Sequence, residues 1–402
     1  MPGRSRHLPG APLFYPLAST TWDDAEYAAL DRVIKSGRFT MGDEVRAYEQ
    51  AFADHFGKRY GVMASSGSTA NLLAVASAFW HPDLGWKQGD EIIVPAVSWS
   101  TTYFPITQTG MRLRFVDIDQ ATLNIDPDLV AAAITPRTRA VFAVNLLGNP
   151  VQADRLRAIC KDAGILLIED NCESMGASLN GEMAGAFGFF GTFSSFFSHH
   201  ICTMEGGMVI TDDRKLYDTM LSMRAHGWTR GLPADTHLPV DPDPFVAQFR
   251  FVLPGYNLRP LEMEGALGRP QLAKLPGFVA ARRENGKIFQ REFADLDFLD
   301  IQQETGESSW FGFAMVLKGR LAGRRSDLVA ALQAAEIECR PIVTGNFLNN
   351  PVIEKLDHST GSPIIAAEKI DRDGLFVGNH HYPIAPQIAR LREVVQTVAD
   401  RF

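Results

Sequence analysis

Short apolar segments alternate with amphipathic segments along the first half of the chain. The apolar segments lie at 60–65, 91–97, 113–118, 140–147 and 165–170. Several of them are apolar throughout, which is typical of strands that are covered on both faces of a sheet. The segments between them have helical spacing, as in the run of Val45, Tyr48, Phe52 and Phe56 that Gly57 follows. This alternation predicts an α/β domain with a largely parallel sheet.

The pattern changes after about residue 275. The later segments predict a long helix, a strand and two further helices, at 276–296, 311–319, 326–337 and 391–402. We therefore predict a large domain over residues 1–275, which begins with a Pro-rich extended arm, and a smaller C-terminal α+β domain over residues 276–402. The stretch 229–250 is rich in Pro and Asp, which predicts a long surface loop.

Composition narrows the possible functions. The chain has 402 residues, 46% of them hydrophobic and 21% charged, which excludes a disordered, collagen-like or coiled-coil protein. Its 39 Lys and Arg against 47 Asp and Glu give a formal charge of −8, so the balance shows no basic footprint for a nucleic acid. There is no run of about 18 apolar residues and no apolar signal segment at the start. We therefore expect a cytoplasmic protein without nucleic-acid or membrane partners.

Neither the cysteines nor the histidines have the spacing of a metal site. The cysteines are scattered and form no Cys-x-x-Cys pair, at Cys160, Cys172, Cys202 and Cys339. This argues against a disulfide framework and a closed zinc site, and it fits a reducing compartment. His199 and His200 are adjacent, and adjacent side chains diverge on a helix or strand. Since no further ligand spacing accompanies the pair, we predict no metal.

The first candidate for binding chemistry is the segment Ser65–Asn71, which reads SSGSTAN and follows a predicted strand. Small residues leave the backbone N–H groups open, and the N-terminus of the following helix favours an anion such as phosphate. The alternative is a simple Ser/Thr helix cap.

Two further candidates lie at predicted strand ends. Asp170 ends an apolar strand, within the sequence Glu169–Glu173. Ligands of open α/β sheets gather at such ends, and an acid there can hold a positive charge. Trp99 follows another strand and could cover a flat ligand. The alternatives are a strand-end turn for Asp170 and a core position for Trp99.

Taken in order along the chain, these features resemble the sugar aminotransferase family, also called DegT/DnrJ/EryC1/StrS. The resemblance covers nearly the whole chain and includes SSGSTAN, IIVPAVSWSTTYFPI, IEDNCESMGA and GYNLRPLEMEGALGRPQL. It implies the aspartate-aminotransferase-like fold (fold type I), which has a large, mostly parallel-sheet domain and a smaller α+β domain. It also implies pyridoxal 5′-phosphate (PLP) or pyridoxamine 5′-phosphate (PMP) as cofactor.

The resemblance assigns one group of residues to the cofactor phosphate. By position, the cofactor phosphate would be bound by Ser68, Thr69 and Ser194, next to Gly67. Asn257, in the GYN motif, would reach the phosphate from a partner subunit. The resemblance therefore implies a homodimer with shared active sites.

The resemblance assigns a second group to the cofactor ring and the substrates. Trp99 would stack on the ring, Asp170 would pair with the pyridinium nitrogen, and Glu173, in place of the usual Gln, would contact the ring hydroxyl. Three other residues lie near family motifs and are candidates for binding a nucleotide diphosphate or the carboxylates of glutamate, namely His226, Arg259 and Arg340. The alternative for these three is a surface or interface ion pair.

The chain departs from the family pattern at the position of the catalytic lysine. That lysine stands six residues before the Glu of Glu-Gly-Gly, where this chain has His199, and no lysine occurs between Lys161 and Lys215. An imidazole cannot form the covalent link to the cofactor that an amine forms, but it can act as a general base. We therefore expect a non-covalently bound cofactor.

The Lys-to-His change resembles the branch of the family that removes the C3 hydroxyl of nucleotide-linked ketosugars. One subtype acts on a CDP-linked sugar and holds an iron–sulfur cluster through four cysteines near its C-terminal side. Here only Cys339 lies beyond residue 202, so we expect no such cluster. The other subtype needs no iron and implies GDP-4-keto-6-deoxymannose as substrate, L-glutamate as amino donor and a role in colitose-type deoxysugar synthesis for lipopolysaccharide. A CDP- or dTDP-linked substrate, or a catalytically degenerate cofactor-binding protein, remains open.

Overall fold

The computed structural model describes residues 13–402 of the chain. Its strands are β1 (Tyr60–Ala64), β2 (Glu91–Pro95), β3 (Arg112–Val116), β4 (Thr138–Val144), β5 (Leu166–Asp170), β6 (Ser178–Leu179), β7 (Glu182–Met183), β8 (Phe190–Ser194), β9 (Gly207–Thr211), β10 (Leu299–Ile301), β11 (Gly312–Leu317), β12 (Cys339–Arg340), β13 (His358–Thr360) and β14 (Gly374–Gly378). Its α-helices are α1 (Asp24–Ser36), α2 (Asp43–His55), α3 (Gly67–Phe79), α4 (Ser100–Gln108), α5 (Pro127–Ala133), α6 (Ala153–Ala163), α7 (Arg214–Arg224), α8 (Pro244–Ala247), α9 (Glu262–Phe293), α10 (Arg325–Ala334), α11 (Ala366–Asp373) and α12 (Ala385–Ala399).

Eight of these strands form one sheet in the order β1-β9-β8-β5-β4-β2-β3-β13. Strand β9 is antiparallel to β1 and β8, and the other neighbouring pairs are parallel. Every residue of β2, β8 and β9 is buried, as expected of strands that are covered on both faces of a sheet. The expected α/β architecture with a mostly parallel sheet is confirmed.

The topology places the segments that follow four strands at one edge of this sheet. Because β9 runs antiparallel to both β1 and β8, those two strands share one direction, which β5 and β2 also follow. The carboxyl ends of β1, β2, β5 and β8 therefore lie at the same edge. These ends carry the SSGSTAN segment, Trp99, Asp170 and Ser194.

A second, antiparallel sheet has the order β10-β11-β14-β12 and belongs to the C-terminal part of the chain. The helix predicted from residue 276 begins earlier, at Glu262, and passes through Pro270 and Pro276. Proline favours the first turn of a helix and opposes a helix interior. The sequence pattern therefore predicted the start of this helix too late in the chain. Helix α9 packs closely against α2, because a Cβ on Gly268 would lie 2.4 Å from the Tyr48 ring. This packing favours the longer helix.

Two connections join the C-terminal part to the large sheet. Helix α9 crosses the boundary expected between residues 275 and 276. Strand β13 returns from the C-terminal part and pairs in parallel with β3. The division into domains at residues 275 and 276 stays a prediction.

Candidate active site

The first turn of α3 forms one end of the candidate site. Ser66 caps this helix, because its hydroxyl accepts a hydrogen bond from the Thr69 N–H at 3.1 Å and the Thr69 hydroxyl accepts one from the Ser66 N–H at 2.8 Å. The cap interpretation is thus observed, and it leaves the N–H groups of Gly67 and Ser68 without intrahelical acceptors. A Cβ on Gly67 would lie 2.5 Å from the Cβ of Ser194, so only glycine allows this close approach to the end of β8.

Asp170 is the last residue of β5 and is surrounded by hydrogen-bond donors. Its carboxylate accepts hydrogen bonds from Asn71 Nδ2 at 2.8 Å, Thr102 Oγ1 at 2.7 Å and the Cys172 N–H at 3.1 Å. The Thr192 hydroxyl donates to the Asn71 side-chain oxygen at 2.5 Å, which directs the amide nitrogen of Asn71 at Asp170. Three donors stabilise a carboxylate, and a cationic ring nitrogen is the natural partner for it.

His199 points into the site, while His200 points away from it. The Nδ1 of His199 lies 2.7 Å from the carbonyl oxygen of Cys172, and since a carbonyl only accepts, Nδ1 carries the proton. The Nε2 of His199 is therefore the basic nitrogen. Burial lowers the pKa of His199 to about 4, so the ring is neutral at pH 7. His200 is fully buried and its Nε2 lies 3.1 Å from the Ser309 carbonyl oxygen, so the two imidazoles have different polar partners.

Glu173 is a second carboxyl group close to Asp170, in a different environment. Its Oε2 accepts a hydrogen bond from the Leu147 N–H at 3.0 Å. Burial raises the pKa of Glu173 to about 7, and the negative charge of Asp170 acts in the same direction. Near neutral pH, Glu173 therefore carries a proton in a large share of the molecules.

A cavity of about 420 Å³ joins these groups. Eight of the residues predicted for the site line it, namely Gly67, Ser68, Trp99, Asp170, Glu173, Ser194, His199 and Arg340. Trp99 is 57% exposed, and the Ser68 hydroxyl lies 2.9 Å from that of Thr101. One cavity is therefore lined by an anion-binding turn, an exposed indole, a strand-end carboxylate and a neutral histidine.

The structure places the other four predicted residues elsewhere. The side-chain hydroxyl of Thr69 is used within the helix cap. Asn257 accepts a hydrogen bond from Arg259 at 2.9 Å, and its backbone bridges to Ala225, beside His226. Asn257, His226 and Arg259 do not line the cavity of their own chain.

Sequence reasoning missed several residues that line the cavity or orient its groups. Asn71 and Thr102 hold Asp170, and Phe311 lies with its ring centre 5.2 Å from that of His199. Leu17, Val343 and Phe376 form an apolar part of the wall. Asn71 stood within the SSGSTAN motif, but its partner lies 99 residues away, so local sequence gave no signal for the contact.

A family comparison accounts for this arrangement. Residues 21–398 match the model of the DegT/DnrJ/EryC1/StrS aminotransferase family. The chain belongs to this family. Its core is the fold type I architecture that the sequence resemblance implied.

Individual members of the DegT/DnrJ/EryC1/StrS family are similar over almost their full length. The chain is 56% identical over 385 residues to the GDP-4-keto-6-deoxy-D-mannose 3-dehydratase of Yersinia pseudotuberculosis, covering 95% of this chain and 98% of the relative. A solved GDP-4-keto-6-deoxymannose-3-dehydratase with a trapped PLP-glutamate geminal diamine has a TM-score of 0.92 at 54% identity, covering 94% and 99% of the two chains. Another, a mutant with bound GDP-perosamine, has a TM-score of 0.93 at 54% identity, covering 95% and 100%.

Across residues 13–402, no helix is both long enough and apolar enough to cross a membrane. Over the same range, no group of three or more His, Cys, Asp or Glu side chains is placed to hold a metal ion.

Proposed function

We propose that this protein is a PLP/PMP-dependent 3-dehydratase that removes the C3 hydroxyl of GDP-4-keto-6-deoxymannose. The observation that carries the proposal is His199, a neutral imidazole with a free Nε2 at the position where the family has its lysine. The full-length likeness to named GDP-4-keto-6-deoxy-D-mannose 3-dehydratases supports the same reaction and the same nucleotide.

The residues of the cavity fit the proposed cofactor. Asp170 is suited to a protonated ring nitrogen, Trp99 offers an open aromatic face, and the turn at Gly67 and Ser68 offers backbone donors to a phosphate. Ser194 lies at the end of β8 against this turn and supplies a further hydroxyl. Within residues 13–402 no lysine lines the cavity to bind the cofactor covalently, so we propose that these contacts hold it.

The bound cofactor supplies an amine that condenses with the C4 ketone of the sugar and a ring that accepts an electron pair. His199 removes a proton from the carbon that bears this amine, using Nε2, while the Cys172 carbonyl holds the protonated Nδ1. The electron pair released there expels the C3 hydroxyl group. His199, now protonated, donates its proton to that group, which leaves as water.

Asp170 and Glu173 have different tasks in this scheme. Asp170, with three donors around its carboxylate, keeps the ring nitrogen protonated. Glu173 offers a hydrogen bond to the ring hydroxyl. After elimination, water releases ammonia and the 3-deoxy ketosugar, and the cofactor is left in its aldehyde form. L-Glutamate then restores the amine and leaves as 2-oxoglutarate.

We also propose a homodimer in which each site is completed by the partner subunit. Asn257 lies outside the cavity of its own chain, although family position assigns it to the cofactor phosphate. Large aromatic side chains near it are exposed, including Phe249 at 68% and Phe251 at 57%. A symmetric dimer would cover these side chains and bring Asn257 to the other site.

His226, Arg259 and Arg340 remain candidates for the substrate anions, and the cytoplasmic location stays a prediction.

An absorbance experiment tests the proposal against its alternatives. The protein is incubated with PLP, then with L-glutamate, and then separately with GDP-, CDP- and dTDP-linked 4-keto-6-deoxy sugars. We expect glutamate to convert the aldehyde form to the amine form, and the GDP sugar alone to reverse the change efficiently. If another nucleotide sugar converted the amine form back to the aldehyde form, that sugar would be the substrate instead. If glutamate caused no spectral change, the protein would be a degenerate binding protein.

A further inference from the structure

The N-terminal arm of the described chain reaches the wall of the active-site cavity at Leu17. This side chain is partly exposed and lines the cavity, on the same wall as Val343 and Phe376. It also packs against the apolar cluster to which Phe376 belongs. Nothing in the sequence pattern around Leu17 indicates a site, because the arm is only a Pro-rich extended segment there.

The arm is held in place on both sides of Leu17. The Tyr15 N–H donates to the Glu336 carbonyl at 3.1 Å, the Leu17 N–H donates to Glu338 Oε2 at 2.7 Å, and His380 Nε2 donates to the Pro16 carbonyl at 3.0 Å. A Cβ on Gly378 would lie 2.3 Å from the Leu17 carbonyl oxygen, so the arm passes β14 at a distance that only glycine allows. The Leu17 side chain therefore has a fixed position in the wall.

This apolar part of the wall needs an apolar partner on the ligand. The groups that react or carry charge have polar partners elsewhere. The proposed mechanism places the reacting carbons at His199, and Arg340 is the cationic residue among those that line the cavity. In a 4-keto-6-deoxy sugar, C3 and C5 flank the reacting C4, and C5 carries the methyl group C6. If C3 faces His199, then C6 lies on the other side of C4. An apolar wall binds a methyl group well and leaves a hydroxyl group unpaired.

We propose that Leu17 is a specificity-determining residue whose side chain packs against the C6 methyl group of the sugar and selects a 6-deoxy sugar over a 6-hydroxy sugar. This inference rests on the proposed function, because it takes a nucleotide-linked 4-keto-6-deoxy sugar as the substrate. It assigns a role in substrate selection to an arm that lies outside both sheets.

The test compares two stable ligands that differ only at C6, GDP-6-deoxy-D-mannose and GDP-D-mannose, by calorimetric titration of the PMP-loaded protein. For the wild type we expect the 6-deoxy ligand to bind about tenfold more tightly. Leu17→Ala removes the contact and leaves space for the hydroxyl and water, so the ratio should fall close to one. Leu17→Met keeps apolar volume and should keep the ratio. Phe14→Ala changes an exposed residue of the same arm that does not line the cavity, and it should also keep the ratio.

An unchanged ratio in Leu17→Ala would overturn this role of Leu17. If the affinities for both ligands also fell equally and the spectral change with L-glutamate became slower, that result would mean a structural role instead. A failure of the proposed function is recognised separately, since the wild type would then bind neither GDP sugar.

Discussion

His199 donates a hydrogen bond from Nδ1 to the carbonyl oxygen of Cys172, and the two atoms are 2.7 Å apart. Cys172 in turn donates from its N–H to the carboxylate of Asp170 at 3.1 Å. One turn after β5 therefore orients both the basic nitrogen of His199 and the carboxylate of Asp170, which we propose to face the ring nitrogen of the cofactor. The histidine is fixed in one tautomer by a backbone group, as a general base requires.

Replacing this imidazole tests its role as base. His199→Asn keeps a side-chain amide that can donate to the Cys172 carbonyl, but it removes the basic Nε2. We expect the rate of ammonia release to fall by about 10²- to 10⁴-fold. Absorbance of the bound cofactor should show that PLP still binds. A variant with wild-type turnover would exclude His199 as the base.

Replacing Asn71 tests the hydrogen bonds that the Asp170 carboxylate accepts. Asn71→Ala removes the donor at 2.8 Å and leaves the Asp170 carboxylate with one fewer partner in a buried position. The loss of one such hydrogen bond costs about 1–3 kcal/mol, so we expect PMP to bind about five- to 150-fold more weakly. Equilibrium titration followed by absorbance measures this.

Gln50→Ala serves as the matched control for Asn71→Ala. It also removes a side-chain amide that donates to an aspartate, Asp54, but on the exposed surface of α2. Its PMP affinity should equal that of the wild type. If both variants bound PMP normally, Asp170 would not depend on Asn71.

The pH dependence of stability tests the protonation of Glu173. Its pKa is about 7 in the folded protein against an ordinary value of 4.5, so the folded state binds more protons between these values. The resulting stabilisation is fully present below pH 4.5 and is lost as the pH rises through 7. Glu173→Gln removes this dependence, and its free energy of unfolding should exceed that of the wild type above pH 8 by about 3 kcal/mol.

Denaturant unfolding of the cofactor-free protein at pH 5 and at pH 8 measures this effect. The difference between Glu173→Gln and the wild type is the relevant quantity, because Glu264 also has a pKa raised to about 7 by burial and is present in both proteins. An equal difference at both pH values would contradict the assignment to Glu173.

The sequence predicted those features that depend on neighbouring residues. The apolar strands and the acid at the end of β5 are set by local periodicity, so they could be read from the chain. The start of α9 could not, since packing against α2 outweighs two prolines. Leu17 and Asn71 could not either, because each acts through contacts between segments that are distant in sequence.

Mixed subunits test the shared active site. His199→Asn and Asn257→Ala should each be inactive or weak alone, if Asn257 serves the partner's cofactor. Mixing the two variants after subunit exchange should restore activity, because each hybrid dimer then contains one site with an intact His199 and an intact Asn257. Full restoration would correspond to about one quarter of wild-type activity for random pairing. No restoration, with exchange verified by mass spectrometry, would contradict a shared site.

The most direct test of the central claim follows the amino group during turnover. The protein, PLP, ¹⁵N-labelled L-glutamate and GDP-4-keto-6-deoxymannose are combined, and the nitrogen is traced by NMR and mass spectrometry. The 3-dehydratase account predicts labelled ammonia in equal amount to 2-oxoglutarate and to a 3-deoxy sugar that carries no label. Labelled nitrogen retained on a sugar that keeps its C3 hydroxyl would contradict it, because that product would identify an ordinary aminotransferase.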